Sequence, residues 1–350
     1  MEAPPVQYAR TSDGFDIAYA VSGAGRPFVM LPNLCVDLVG SWRLPSHRHL
    51  YEQLSRRYRL IRVERRGTGL STRGNDAHFD LNDNLLDIEA VATRLGLSTF
   101  ALYGGPVSSA ASLLYAAEHP DKVEAVVTWG APLRQEGHKQ LWELDEERLR
   151  ASMELFAIAR APYFAPLEPL SPFVELFCNW MTREHLITTL HWMDKFELRA
   201  VLPRVQAPTL VLGRPGGGNA GTAGEGYHEM ASLLPNGRLF MTESPGSGLF
   251  TNDGSTPPAV RAIEQFLAEI PPRSSVPVAP LTPEASMALL SAREIEVLRL
   301  IANAESNKQI AQRLSLSLNT VNHHVSNIYA KIEAPNRAAA TAFAVRHGLT

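Results

Sequence analysis

The sequence predicts an α/β domain with a mostly parallel sheet over residues 1–270, followed by a small all-α domain over residues 286–350. Three observations support this division. Strand and helix patterns alternate along the first part, which is typical of a sheet covered by helices. A proline-rich segment then interrupts the chain. Beyond it, helical patterns with polar capping residues follow one another without a strand pattern.

The large part begins with a predicted hairpin that turns at Ser12-Asp13-Gly14. Its strands are predicted at Val6–Arg10, Phe15–Val21, Phe28–Leu31, Tyr58–Val63, Phe100–Tyr103, Val123–Trp129, Thr209–Leu212 and Arg238–Met241. Helices are predicted between them at Leu50–Arg57, Leu81–Leu95 and Ser108–His119, and the segment Pro258–Ile270 closes the domain. Residues 131–200 break this alternation with helical patterns that are rich in aromatic residues.

The segment 271–285 separates the two parts, and residues 271–283 hold five prolines. Proline has a fixed φ and no backbone N–H, so such a run continues neither a helix nor a sheet. Pro-rich segments behave as extended, semi-rigid spacers. We therefore expect a linker between two domains here.

The last part of the chain has the pattern of two short helices joined by a turn. Ser306 lies three residues before Gln309, a spacing that allows a capping box, and another Ser-x-x-Glu box starts a preceding helix at Ser291. The first of the two helices has its apolar face at Ile310, Ala311 and Leu314. After the turn 315–317, with Ser317 as a second cap, the next helix has apolar positions at Val321, Val325, Ile328 and Tyr329 or Ile332. Its other face carries Asn322, His323, Ser326 and Asn327, which are free to contact base edges.

Residues 286–350 resemble the four-helix LuxR/FixJ-type helix-turn-helix domain, through the runs R-E-x-E-V-L, N-K-Q-I-A-x-x-L, T-V and H-V-x-x-I-Y-x-K. The resemblance implies that residues 320–331 form a recognition helix for double-stranded DNA, and that the last helix pairs two copies into a homodimer. It also implies phosphate contacts from Lys308, Thr320, Lys331 and Arg337. Asn322 stands where the family often has Lys, and because Asn prefers adenine we expect a different target sequence. The alternative is a helical bundle with a solvated polar face.

Charge is distributed unevenly between the two parts. Residues 285–350 hold seven Lys and Arg against four Glu, a balance of +3, while the remainder holds 26 against 32, a balance of −6. Affinity for phosphates should therefore come from the small domain alone. Two cysteines predict no disulfide framework. Because the sequence shows neither a secretory signal nor an apolar stretch of 18 residues, we expect a cytoplasmic protein without a membrane partner.

Three runs in residues 1–270 resemble the α/β-hydrolase fold with a helical cap inserted after the sixth strand. They are E-R-R-G-T-G-L-S at residues 64–71, L-Y-G-G-P-V-S-S at residues 102–109, and A-A-E-H-P-D-K-V at residues 116–123. Their order and spacing carry the resemblance. It implies an α/β hydrolase-like domain whose cap comprises residues 131–200.

The three catalytic positions that this resemblance implies are occupied by other residues. The nucleophile elbow G-x-S-x-G corresponds to residues 104–108, and Pro106 stands in the place of the serine. A proline ring fixes φ near roughly −65°, so we expect a relaxed elbow. The strand Thr209–Leu212 is followed by no carboxylate before Glu225, and Leu249 stands where the family has its histidine. The domain is therefore not expected to be an enzyme.

An active hydrolase with a non-standard nucleophile remains an alternative, because a triad is defined by geometry. Its candidate groups are Ser108, Ser109, Cys35, His138, His185 and His191. The alternative interpretation of each is structural: helix-packing serines, a small apolar cysteine and surface or cap histidines.

Without catalysis, the domain is expected to bind a small, largely apolar molecule under the cap. The expected lining residues are Asn33, Leu34, Cys35, Gly105, Pro106, Val107, Trp142, Trp180, Trp192 and Leu249. The Gly-rich stretch 213–226 lacks the G-K-[ST] ending of a phosphate loop, and no cofactor or metal is expected. The sequence thus predicts a ligand-responsive DNA-binding transcription regulator. A domain that only dimerises is the remaining alternative.

Overall fold

The computed structural model divides into two compact units, and the boundary lies between Arg273 and Ser274. The residues that the structure describes are 2–31, 37–73, 81–105, 108–129, 146–164, 167–193, 198–213, 225–242, 249–251, 253–273, 290, 292–303, 305–314, 321, 325, 328, 332, 334 and 337–349.

The first unit is built on an eight-stranded sheet. Its strands are β1 (Val6–Arg10), β2 (Asp16–Ser22), β3 (Arg26–Leu31), β4 (Tyr58–Val63), β5 (Phe100–Gly104), β6 (Val123–Trp129), β7 (Thr209–Gly213) and β8 (Gly237–Met241). They lie in the order β1-β2-β4-β3-β5-β6-β7-β8. Strand β2 pairs antiparallel with β1 and β4, and the other pairings are parallel. The predicted mostly parallel sheet is confirmed.

Helices precede, connect and cover these strands. In chain order they are α1 (Gly40–Arg43), α2 (Pro45–Ser55), α3 (Leu81–Arg94), α4 (Ser109–Glu118), α5 (Met153–Phe164), α6 (Leu170–Trp180), α7 (Arg183–Met193), α8 (Glu225–Leu233) and α9 (Pro258–Glu269). A 3₁₀ turn at Leu202–Arg204 leads back to β7. Helices α5 to α7 lie within the predicted cap region.

Alternate residues of the central strands pack on opposite faces of the sheet. In β3, Phe28 and Met30 belong to the apolar cluster that includes residues of α2 and α9, whereas Val29 and Leu31 belong to the cluster that includes residues of α3 and α4. Strands β5 and β6 are buried along their whole length. Both faces of a parallel sheet are covered by helices, so its strands appear in the sequence as continuous apolar runs.

Three helices differ from the sequence prediction, and one of them, the single turn α1, was not predicted. Helix α2 begins at Pro45 instead of Leu50, because a proline suits the first helical turn, where its missing N–H would have had no partner. Helix α8 was not predicted, since its glycine-rich approach favours a loop. No helix among the described residues is both long and apolar enough to cross a lipid bilayer.

The end of the first unit is fastened to the amino-terminal edge of its sheet. The backbone N–H of Arg273 donates to Glu124 Oε2 at 3.1 Å, and the Arg273 guanidinium donates to the carbonyl of Pro120 at 2.6 Å. Glu124 also accepts a 2.5 Å hydrogen bond from Arg26. The chain is therefore held to the first unit as far as Arg273.

The second unit contains α10 (Ala292–Ala302), α11 (Asn307–Arg313) and α12 (Arg337–Arg346). Between α11 and α12, the described residues Val321, Val325 and Ile328 are helical. They share one apolar core with the inner faces of α10 to α12. Helix α12 ends before Gly348, whose φ of 66° is the left-handed conformation that favours glycine.

Candidate functional site

The candidate site of the first unit lies where β3, β4 and β5 end. The chain passes from β3 to β4 on one side and later to β5 on the other, so the strand order reverses at β3. In parallel sheets, ligands bind outside the carboxyl ends of the strands at such a reversal. The loop at residues 32–36, with Asn33, Leu34 and Cys35, lies outside the described residues.

The turn after β5 packs closely on α4. A Cβ atom added to Gly104 would lie 2.3 Å from Ser112 Oγ and 2.8 Å from the Ser109 Cα, so only glycine fits here. Gly105, the next residue, is buried as well. Pro106 and Val107 lie outside the described residues.

Both serines after this turn are buried and hydrogen-bonded to the backbone. Ser108 Oγ accepts from the Gly105 N–H at 3.0 Å. Ser109 Oγ lies 2.7 Å from the Gly105 carbonyl and 2.6 Å from the Trp129 carbonyl, either of which accepts its single hydrogen, and it accepts from Thr128 Oγ1 at 2.7 Å. Among the described residues, the hydrogen-bond partners of these hydroxyls are backbone groups and Thr128, and none is a histidine or carboxylate, the groups that activate a nucleophilic serine.

The position expected for a catalytic histidine is part of the apolar core. Leu249 is buried in the cluster that also holds Trp42, Trp129 and Leu210. Leucine carries no proton that could be exchanged. The segment after β7 that would supply an acid, residues 214–224, lies outside the described residues, and its sequence contains no Asp or Glu.

The loop after β4 is organised by a buried carboxylate. Glu64 accepts from the backbone N–H groups of Leu38 at 2.6 Å and Leu70 at 2.5 Å. Burial raises the pKa of Glu64 to about 7, although these hydrogen bonds favour the charged form and act against the rise. Gly69 has a φ of 53°, and a Cβ there would lie 2.4 Å from the Glu64 carboxyl group. Glycine is therefore required for the tight approach of the loop to the carboxylate.

Arg66 joins the same loop to α3. Its Nε donates to Asp87 Oδ1 at 2.8 Å, and its Nη2 lies 2.8 Å from the same oxygen. The backbone N–H of Arg66 donates to Asp87 Oδ2 at 3.0 Å. The pair is almost fully buried, so it is shielded from water and salt.

Arg65, the preceding residue, approaches the cap. Its Cζ atom lies 6.0 Å from the centre of the Trp180 ring, and only 4% of the residue is exposed. Burial lowers the pKa of Arg65 to about 10, while the charge of Asp87 acts in the opposite direction. The guanidinium is therefore still charged at neutral pH.

The cap is held against this loop by hydrogen bonds to its backbone. The Gly69 N–H donates to the Trp180 carbonyl at 2.7 Å, and Arg73 Nη2 donates to the Asn179 carbonyl at 2.7 Å. A second connection is polar and buried, where Glu168 accepts from the Ser46 N–H at 3.0 Å and lies 3.3 Å from His47 Nδ1. These contacts fix the start and the end of α6 to the sheet-bearing body.

The described cap histidines have different surroundings. His185 is buried, and its pKa is lowered to about 3, first by burial and then by the charges of Arg65 and Arg73. His191 is exposed and lies 2.8 Å from Glu146. His138 lies outside the described residues. His185 is thus a neutral imidazole, and His191 belongs to a surface pair.

The remaining predicted pocket residues are only partly described. Trp180 is buried in an apolar cluster of the cap with Phe156, Phe173, Phe177 and Leu186. Trp142 and the side chain of Trp192 lie outside the described residues. The charged and polar residues next to Trp180, above all Arg65, were not predicted. The E-R-R-G run marks the loop, but the sequence does not indicate which arginine contacts the cap.

In the helix-turn-helix unit, the predicted capping box is present at the start of α11. The Ser306 side chain accepts from the Gln309 N–H, and the Ser306 N–H donates to Gln309 Oε1 at 2.8 Å, so both halves of the capping box are present. The predicted inward residues Ile310, Val321 and Ile328 are fully buried. The apolar face predicted for these helices is confirmed at the described positions.

Of the residues predicted to contact DNA, two lie among the described residues, Lys308 and Arg337. Lys308 is exposed in the first turn of α11. Arg337 is half-buried; it donates to Asn307 Oδ1 at 3.0 Å and to the Glu305 carbonyl, and so holds the start of α11 against α12. Outside the described residues lie Thr320, Asn322, His323, Ser326, Asn327 and Lys331. Their DNA contacts stay predictions.

Comparisons with known proteins assign each unit separately. The model of the family "Bacterial regulatory proteins, luxR family" matches residues 288–344, and that of the "alpha/beta hydrolase fold" matches residues 31–176. Over 60 residues the chain is 50% identical to an uncharacterized transcriptional regulatory protein, YhcZ, of Bacillus subtilis, covering 17% of this chain and 28% of the relative. Over 61 residues it is 43% identical to the response regulator protein VraR of Staphylococcus aureus, covering 17% and 29%. The chain therefore spans less than a third of the length of these curated relatives.

Solved structures match the first unit. An enol-lactonase from Burkholderia xenovorans superposes with a TM-score of 0.62 at 18% identity, covering 75% of this chain and 100% of that one. An esterase from Exiguobacterium antarcticum gives 0.63 at 20% identity, covering 75% and 98%. Similarity at this level of identity establishes the fold alone. The chain thus joins an N-terminal domain of the α/β-hydrolase fold to a C-terminal DNA-binding domain of the LuxR family of bacterial transcription regulators.

Proposed function

We propose that the hydrolase-fold domain senses a small molecule without turning it over, and that binding controls how the LuxR-type domain addresses DNA. The observation that carries this proposal is the state of the serines after β5. The hydroxyls of Ser108 and Ser109, which follow the expected position of the nucleophile, are buried and hydrogen-bonded to the backbone. Leu249 in the apolar core supports it, since no proton can pass through that position.

The proposed mechanism is a shift between two arrangements of the chain. A ligand that binds better when the cap is closed increases the population of the closed state. The described cap contacts at Gly69, Arg73 and Glu168 are the connections that would order on closure. A change in how two copies pair would then alter the spacing of two recognition helices, which must match two half-sites on DNA.

The test has two arms that use the full chain. Duplexes are first selected from a random library by the protein itself, and their affinity is then measured with and without compounds that raise its unfolding temperature. Each stabilising compound is recovered afterwards, and its molecular mass is determined by mass spectrometry. A ligand at a hundred times its dissociation constant stabilises by roughly 2.7 kcal/mol, which is readily seen.

Three results separate the hypotheses. A stabilising compound that changes DNA affinity and is recovered intact supports the sensor. A compound recovered cleaved supports a hydrolase with another nucleophile, and Ser108→Ala and Cys35→Ala then test which group acts. Equal DNA affinity with and without every stabilising compound contradicts the regulatory mechanism.

A further inference from the structure

Within the part of the chain that the structure describes, Arg26 Nη2 and Arg62 Nε are buried without an acceptor elsewhere in the domain, and four further such donors lie where the loop after β4 meets the cap. These four are Arg65 Nε, Arg65 Nη2, the Trp180 indole Nε1 and the Thr189 hydroxyl. The three residues are each at least nine-tenths buried. A buried donor without a partner costs free energy, about 1–3 kcal/mol and more when it is charged. Native proteins rarely retain such groups without a reason.

These donors belong to neighbouring parts of the site. Arg65 Cζ lies 6.0 Å from the Trp180 ring centre. Thr189 lies one helical turn after His185 on α7, so the two share a face of that helix. Burial and then the charges of Arg65 and Arg73 lower the pKa of His185. Loop and cap thus bring a set of donors and one positive charge into the same buried region.

The two free nitrogens of Arg65 define the shape of the missing partner. Nε and Nη2 lie on one edge of the guanidinium group, and their N–H bonds point in parallel. That edge matches the two oxygens of a carboxylate, which it binds through two hydrogen bonds. Arg66 uses the same two nitrogens to bind Asp87, both at 2.8 Å from the single oxygen Oδ1, so the neighbouring arginine has the carboxylate partner that Arg65 lacks among the described residues.

We propose that the hydrolase-fold domain binds a small organic acid, with its carboxylate on the Nε and Nη2 edge of Arg65 and its apolar body against Trp180. The inference rests on the ligand-sensing role proposed above, and it makes the ligand an acid with an apolar body. A single negative charge balances the Arg65 guanidinium, because the neighbouring Arg66 is already paired with Asp87. The indole N–H of Trp180 and the hydroxyl of Thr189 are further donors for the acid. The aromatic cluster of Trp180, Phe156 and Phe177 suits an aromatic or branched apolar group.

Arg65→Met is the variant that tests this assignment, because it removes the charge and keeps an unbranched side chain. The probes are phenylacetate, 3-phenylpropanoate and indole-3-acetate, each paired with its primary amide, and binding to the full chain is measured by titration calorimetry. We expect acids to bind the natural chain on the order of tenfold or more tighter than the amides. That preference should disappear in Arg65→Met and be reduced in Arg65→Lys, which keeps the charge without the fork. Arg56→Met, the same change at an exposed position, is the control.

A second measurement needs no ligand. Because an unsatisfied buried charge destabilises the empty domain, Arg65→Met should raise its unfolding temperature, by about 2–4 °C. A lowered unfolding temperature would mean that Arg65 is structural and would overturn the proposal. Amides that bind as well as the acids, or an absence of binding by all three acids, would overturn it too.

The outcomes also separate this inference from the proposed function. Acids that bind through Arg65 and leave DNA affinity unchanged uphold the acid site and contradict the regulatory mechanism. Neutral compounds that bind and change DNA affinity, with no preference for acids, contradict the acid site and leave the sensor in place.

Discussion

Arg65 and Arg66 are adjacent and both buried, but they differ in whether the guanidinium group is paired with a carboxylate. Arg66 is held by the carboxylate of Asp87 through its side chain and its backbone N–H. Two nitrogens of Arg65 have no acceptor among the described residues. Burying a charge is costly unless it is paired, so the same residue type stabilises the fold at one position and strains it at the next. The difference separates what the domain needs in order to fold from what it keeps ready for a ligand.

The largest expected effect comes from breaking the paired arginine. Arg66→Met leaves Asp87 buried without its main partner, and we expect a loss of about 3–5 kcal/mol in the free energy of unfolding, measured by urea denaturation. Combining it with Asp87→Met should recover much of the loss, because a buried ion pair can be replaced by apolar groups of similar volume. If Arg66→Met and Arg65→Met changed the free energy of unfolding equally, the claim that only Arg66 is stabilised by a paired carboxylate would be wrong.

Glu64 provides a second contrast, since its carboxylate is buried and capped by N–H groups without a cation. Its folded pKa of about 7 lies above the value of 4.5 for a free glutamate. Between these values the folded state retains its proton longer than the unfolded one, so this group's contribution to stability falls as the pH rises from about 4.5 to 7. The full change is on the order of 3 kcal/mol.

The measurement is the difference in unfolding free energy between the natural chain and Glu64→Gln, taken at several pH values. Glutamine does not titrate, so the difference should shift against the natural chain between pH 5 and 7 and become flat above. Taking the difference isolates the titration of Glu64 from that of other carboxylates. One of these is Glu89: burial acts to raise its pKa, but hydrogen bonds from Lys122 and Tyr115 lower it overall. A difference that stays constant with pH would show that Glu64 has an ordinary pKa.

Local patterns in the sequence predicted much of the fold. The central strands are continuous apolar runs, and their positions were predicted to within one or two residues. The capping box at Ser306 was predicted because both partners lie within four residues. The partners of buried charges were not predictable in this way. Asp87 is 21 residues from Arg66 and reaches it only because α3 packs beside the loop.

The candidate site shows the same limit more strongly. From Pro106 and Leu249 the sequence predicts that other residues occupy the usual catalytic positions, and this stays a prediction. The contact between Arg65 and Trp180 joins residues 115 positions apart in the chain, and it depends on how the cap docks. The sequence predicted an apolar pocket and gave no sign of the buried charge that the structure places next to Trp180.

A change at Glu168 tests whether the cap needs this paired carboxylate to dock on the sheet-bearing body. Glu168→Gln weakens the contacts with Ser46 and His47, and we expect a loss of about 1–2 kcal/mol, concentrated in the cap. Hydrogen exchange should become faster in α6 and stay unchanged in β5 and β6. Glu175→Gln, an exposed change on the same helix, is the control. Uniformly faster exchange would mean that the cap and the body open as one unit.

The smallest energetic effect is expected at an exposed cation. Lys308 lies at the start of α11, where its charge costs little in the free protein and is available to a phosphate. Lys308→Ala should weaken binding to all duplexes alike, and the slope of log affinity against log salt should become shallower by about 0.9, the value for one phosphate contact. Arg299→Ala, an exposed cation on α10, is the control. A slope unaffected by Lys308→Ala would place this lysine away from the DNA. Loss of affinity for some sequences alone would instead indicate a base contact. If Lys308→Ala has the expected effect, Arg65 and Lys308 are both cations whose partner comes from outside the chain. Arg65 would bind a carboxylate in a buried site, whereas Lys308 would bind a DNA phosphate at the surface and release a counterion.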